Sequence, residues 1–195
     1  MRNPIKHLSQ ATVVGASALV IGCAQADRTA IPGMDRDARY GSAAASAEFI
    51  NTDGEVIGTA TVNSGFNGTL VRVEIDNLSE GDRYHAMHIH AVGDCSDPED
   101  GFQASGGHVN PEGRDHGLMN LRGPDGGDFA NLYAHEDGSV RQELFTTLAT
   151  LDGNVGARIL DRDGAALVIH ENPDDHVTQP IGGAGARIAC GVIER

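Results

Sequence analysis

The chain has 195 residues, with 28 acidic against 14 basic side chains and a formal net charge of −14. That balance argues against nucleic acid or an anionic membrane surface as a partner, since both repel an acidic protein. The only lysine is Lys6.

The first residues read as an export signal. Arg2 and Lys6 form a positive start, and Ala11 to Ile21 is an uncharged apolar stretch too short for a membrane span of about 20 residues. Residues 1–22 are therefore expected to be a signal peptide. Val20-Ile21-Gly22-Cys23 resembles a bacterial lipobox, which would make Cys23 a lipid anchor, while Ala24-Gln25-Ala26 offers an alternative cleavage after 26. The expected location is outside the cytoplasm, as a periplasmic, membrane-anchored lipoprotein. Residues 23–46, rich in Ala, Asp, Arg and Gly without apolar period, read as a tether, and 47–195 as one domain. Losing Arg2 and Lys6 leaves 12 basic against 28 acidic residues, near −16.

Beyond the tether, short β-like runs alternate with glycine turns. Ala47 to Asn51 and Val56 to Val62 flank Thr52-Asp53-Gly54-Glu55, a hairpin signal. Leu70 to Asp76 alternates, with Val71, Val73 and Ile75 inward. His85 to Ala91 is a strand on which His88 and His90 share one face and Met87 and Ile89 the other. Leu132 to Ala134 and Val140 to Thr147 repeat the hairpin theme, as do Ala157 to Leu160 and Ala166 to His170 around Asp161-Arg162-Asp163-Gly164. Ala186 to Ile193 is the last strand. The spacing predicts an all-β fold, an antiparallel sandwich or barrel.

Two stretches, Gly93 to Asp128 and Glu171 to Gly185, are long, glycine-rich and without apolar period. Loops of that length in a compact domain are usually functional, and both begin just past a histidine strand. Cys95 and Cys190 form an even pair in an exported chain, which predicts a disulfide closing a 95-residue loop, worth about 4 kcal/mol. His88, His90, His108, His116 and His170 lie at strand ends or in these loops, with Asp125 and Asp128 closing the first. Imidazoles in number suit copper and zinc, and a mixed imidazole–carboxylate set suits zinc.

Met87-His88-Ile89-His90-Ala91-Val92-Gly93-Asp94-Cys95, Gly107-His108-Val109-Asn110-Pro111, Arg114-Asp115-His116-Gly117, Gly127-Asp128, Val168-Ile169-His170-Glu171 and Gly185 to Val192 occur in that order. From about Ala47 to Ile193 the chain resembles the copper/zinc superoxide dismutase family in its bacterial exported form. The resemblance implies a Greek-key, immunoglobulin-like sandwich. It implies copper on His88, His90, His108 and His170, with His108 bridging to a zinc held also by His116 and Asp128. Asp174 matches the carboxylate that hydrogen-bonds a copper and a zinc histidine, Arg187 the arginine that guides the anionic substrate, and Cys95–Cys190 the family disulfide.

The implied activity is dismutation of superoxide to dioxygen and hydrogen peroxide. His108 would release copper and take up a proton on reduction, so Arg187 and His108 are the catalytic pair. One position departs: Asp125 stands where the family has its third zinc histidine. Zinc would then have two histidines and two aspartates, or the site is weak or empty. A copper-binding or buffering protein on the same scaffold, with little turnover, is the alternative, and a homodimer stays open. His85, His135 and His176 carry no site role in this reading.

Overall fold

The computed structural model describes residues 43–195. The signal peptide, Cys23 and the greater part of the tether lie outside the described residues. The tether's last residues do not: β1 (Ala43–Asn51) starts four residues before the expected domain boundary at 47. Ala44, Ser46 and Glu48 face out while Ala45 and Ala47 face in, an alternation of such small side chains that hydrophobic contrast barely marks it.

The strands that follow are β2 (Val56–Gly65), β3 (Gly68–Ile75), β4 (Arg83–His85), β5 (Met87–His90), β6 (Leu132–Ala134), β7 (Val140–Thr146), β8 (Ala149–Thr150), β9 (Ala157–Arg158), β10 (Ala166–His170) and β11 (Arg187–Val192). Seven form one curled antiparallel sheet in the order β5-β10-β11-β1-β2-β3-β7, and β4 pairs with β6. The last strand returns to lie beside the first, as a Greek key requires. Val71, Val73 and Ile75 are fully buried on one face of β3, opposite Ala60 and Val62 of β2. Burying each branched side chain is worth about 1.5–3 kcal/mol.

Two expected hairpins are not ladders. β9 pairs in parallel with the two-residue β8, not with β10, which lies between β5 and β11. β6 and β7 share a turn and then diverge, β6 to β4 and β7 to β3. The Gln142 side chain fills the gap as a strand neighbour would: its Oε1 accepts from Tyr133 N (3.1 Å) and its Nε2 donates to Asn131 O (3.2 Å).

β10 is buried along its whole length because both of its faces are covered. Leu167 and Ile169 join the main core with Met87 and Ile89. Ala166 and Val168 pack on the other side against Phe102 and the Cys95–Cys190 disulfide. The first long loop is thereby fastened over the sheet.

Candidate metal centre

β5 is the edge of the sheet, and its open side is closed by the first loop. Ile89 N donates to Gly127 O (2.9 Å), Val109 N to Ile89 O (2.9 Å) and Ala91 N to Gly107 O (2.8 Å). These bonds set His108 opposite His90 and Asp128 opposite His88. The approach needs a glycine: a Cβ on Gly127 would press on Ile89 O at 2.5 Å and His108 Cβ at 3.0 Å. A bulge between Ile169 and His170 shifts the register at the end of β10, and His170 comes to rest opposite Arg187.

Most of the ring nitrogens are tied in one direction and free in the other. His88 Nε2 donates to Asp174 Oδ2 (3.0 Å), His90 Nδ1 to Gly106 O (2.8 Å), His170 Nδ1 to Gly185 O (3.3 Å) and His108 Nδ1 to Asp125 Oδ2 (2.9 Å). That leaves His88 Nδ1 and the Nε2 atoms of His90, His108 and His170 buried with no hydrogen-bond partner. Buried polar atoms are rarely left so, and a cluster of them calls for a shared partner. Imidazole lone pairs of this kind suit a soft-to-borderline metal ion. His88, His90 and His170 each offer a ligand atom within 4.8 Å of the others.

A second set lies on the far side of His108. His108, His116, Asp125 and Asp128 offer atoms within 4.8 Å of one another. His116 Nδ1 and Asp128 Oδ1 are 2.6 Å apart, yet neither makes a hydrogen bond of proper geometry. Both aim at a common point more than at each other. Two imidazoles and two carboxylates are a donor set that zinc accepts. Asp174 joins the halves, with Oδ2 on His88 and Oδ1 on His116 Nε2 (3.1 Å).

The electrostatics follow the geometry. Burial drives His90 down to about 2, helped by His108 and Arg187, and drives His170 down to about 3, helped by His88. Burial also lowers His88, against its hydrogen bond to Asp174. These rings are neutral, as ligation requires. His116 is the opposite case: burial disfavours its charge, but Asp128 and Asp174 overcome this and raise it to about 10. Against their burial, Asp174 is held low by the hydrogen bonds it accepts from His116 and His88, and Asp128 by the close approach of His116 and the bond it accepts from Gly117 N.

Arg187 lies beside the first set. Its Nη1 donates to Phe102 O (2.6 Å) and Ser105 Oγ (3.1 Å), and its Nη2 to Gly106 O (2.8 Å). Two of its five N–H groups are uncommitted by this count. It borders a cleft of about 490 Å³ that reaches His90, His108, His116 and His170.

Set beside known proteins, residues 56–193 match the family model described as copper/zinc superoxide dismutase (SODC). The chain belongs to the copper/zinc superoxide dismutase family. It is 44% identical over 144 residues to the Cu-Zn superoxide dismutase of Caulobacter vibrioides, covering 73% of this chain and 80% of the relative. It is 42% identical to Cu-Zn superoxide dismutase 2 of Aquifex aeolicus, covering 76% and 85%. A double mutant of a SOD-like protein from Bacillus subtilis superposes with a TM-score of 0.71 at 33% identity, covering 77% of this chain and 97% of that one.

His88, His90, His108, His116, His170, Asp125, Asp128, Asp174 and Arg187 come together at this centre. His135 does not; it stands exposed at a turn against Tyr133. His85, read as bland, is fully buried between His170 O (2.8 Å) and Glu80 O (3.0 Å). Sequence reasoning missed Phe102, whose carbonyl holds Arg187, and Ser105, which touches both Arg187 and His90 Nδ1 (3.3 Å). It also missed Gln179, whose Oε1 accepts from His116 N (3.0 Å) while its Nε2 donates to His116 O (2.8 Å). A lone phenylalanine in a polar loop was a usable signal for the first; nothing in the sequence marks the other two.

Proposed function

We propose that the chain dismutates superoxide to dioxygen and hydrogen peroxide, with copper on His88, His90, His108 and His170 and zinc on His108, His116, Asp125 and Asp128. The observation that carries this is the set of four buried, unpartnered ring nitrogens on the copper side. Copper, when bound, supplies the one-electron exchange in each direction, so that two superoxide anions and two protons give one dioxygen and one hydrogen peroxide. The protein's part is positional and electrostatic. Arg187 lines the cleft and fixes a positive charge where an anion would dock. His108 Nε2 is placed to hold a proton for the product when it is not ligating. Asp174 fixes the tautomers of His88 and His116.

Asp125 is assigned the fourth zinc position because its carboxylate is buried and 2.9 Å from His108 Nδ1. Export and anchoring through Cys23 are retained in the reading, supported by the sequence of the first 26 residues. Superoxide consumption by copper-loaded protein, with and without zinc, tests the activity. Asp125→Ala should lower bound zinc to half or less of the wild-type content while copper is kept. Copper binding without consumption of superoxide would favour the buffering alternative, and equal zinc in both proteins would remove Asp125 from the ligand set.

A further inference from the structure

We propose that the end of the sheet carrying Phe66, Leu70 and Phe145 rests on a lipid bilayer, an inference that takes up the anchoring at Cys23 and is independent of the chemistry in the cleft. The chain has five phenylalanines, and Phe49, Phe102 and Phe129 are buried. The two exposed ones lie at one place. Phe66 is 55% exposed in the two-residue turn between β2 and β3. Phe145 is 58% exposed on β7, directly opposite Leu70 of β3, itself 42% exposed. The Phe145 ring lies over Gly68 at the foot of the turn, where an added Cβ would come within 2.9 Å of its Cζ. Apolar side chains scattered singly on a surface need no explanation, but three gathered at one sheet end do.

The charge pattern sets this end apart from the rest of the molecule. Residues 43–47, 56–71 and 144–151 carry no charged side chain, in a chain of net −14. The charges that follow them along the strands are paired: Arg72 with Glu143 at 3.0 Å, and Asp152 with Arg195. Glu194, whose backbone pairs with Ser46, borders the same end. An uncharged apolar tip on an acidic protein suits a zwitterionic bilayer surface and not an anionic one.

The entry point of the chain selects lipid over other occupants. β1 begins at Ala43, which pairs with Ser64, two residues from Phe66. The chain therefore leaves toward Cys23 from the end that carries the patch. The far end of β2, at Val56, is about 26 Å away at the rise of a strand. Residues 24–42 separate Cys23 from Ala43 and span at most about 65 Å. A lipid on Cys23 tethers the domain by this end, and over so short a link the local concentration is of millimolar order, where a few apolar side chains suffice for contact.

The chain has no tryptophan, so one introduced residue reports by itself. Cys95 and Cys190 are bonded to each other, and no lysine follows Lys6, so the chain from Cys23 to Arg195 can be coupled through Cys23 to a maleimide lipid in zwitterionic vesicles. Phe66→Trp and Phe145→Trp are compared with Val56→Trp, an exposed apolar position at the opposite end of β2. The readout is fluorescence in vesicles with brominated acyl chains relative to the same variant in plain ones. Both tip reporters should be quenched at least about twofold and Val56→Trp less than about 1.2-fold, as expected for side chains at the headgroup–acyl boundary. Leu70→Glu added to Phe66→Trp should remove half or more of the quenching. Vesicles rich in anionic lipid should weaken it at low salt, with recovery at about 500 mM.

Equal quenching at 56 and 66, or none at both 66 and 145, overturns the inference. So does a blue shift of Phe66→Trp that grows with protein concentration without vesicles, which would give the patch to a second copy of the chain. Lipidation is read separately, from the mass of the protein recovered from bacterial membranes. If Cys23 carries no lipid, the anchoring reading fails by itself, and the chemically coupled protein alone decides whether the tip takes lipid.

Discussion

Gly182 gives a direct measure of what Asp174 contributes. It lies at φ 61°, its N donates to Thr178 O, and a Cβ built on it would overlap Asp174 Oδ1. The neighbouring Gly183 has φ 74°, but a Cβ there meets nothing within 4 Å. Alanine at either site carries the left-handed backbone cost of about 1–2 kcal/mol. Alanine at 182 must in addition displace a carboxylate that holds His88, His116 and His176 N. Bonds to a charged group are worth about 1.5–3 kcal/mol each, so losing two of them separates Gly182→Ala from Gly183→Ala by about 3 kcal/mol or more. The same displacement frees the orientation of one ring on each metal side, and zinc affinity should fall by roughly 10- to 100-fold. Urea unfolding of the metal-free variants and zinc competition against a chromophoric chelator read the two effects. If both variants agree within about 0.5 kcal/mol and twofold in affinity, the bridge does not do what its geometry implies.

The metal-free protein should be most stable near pH 6.5. His90 and His170 are depressed to about 2 and about 3, so the stability of their neutral forms is complete above the unfolded value near 6.5 and is lost as pH falls, by about 1.4 kcal/mol per unit for each ring. His116, raised to about 10, contributes fully below 6.5 and loses its contribution as pH climbs toward 10. A urea midpoint that does not rise from pH 5 to 6.5 would contradict the assignments of His90 and His170, and one that keeps rising from pH 6.5 to 9 would contradict that of His116. Replacing Cys95 and Cys190 together by serine should cost about 2–5 kcal/mol. It should also loosen Arg187, since the bond lies beside Phe102, whose carbonyl holds it. An unchanged urea midpoint would refute this.

Much of the architecture was legible because the pleat writes itself into the sequence wherever one face is apolar. Val71, Val73 and Ile75 announced β3, and Met87 and Ile89 told which way His88 and His90 would point. The signal failed where that contrast is missing. β1 begins among alanines and a serine, and β8 is two residues long. Pairing was less legible than strands: a turn signal marks a reversal but not which neighbour a strand takes, and so β9 was given the wrong partner. The residues that gather at the candidate metal centre were readable from residue type and order. Their supports were not, because Gln179 and Ser105 act through loop backbone geometry that no local pattern encodes.

The bonds that fasten the first long loop also set a time order on folding. His116 is gripped by Gln179 across 63 residues, Arg187 reaches back 85 residues to Phe102, and Cys95 waits 95 residues for Cys190. Each partner comes from the final stretch of the chain, so none of these closures forms while that stretch is still missing. The histidines on β5 can exist as a strand early, but the cage around them closes only when the last strand has been laid into the sheet. On the proposed reading of the site, metal uptake would then report that the last strand is in place.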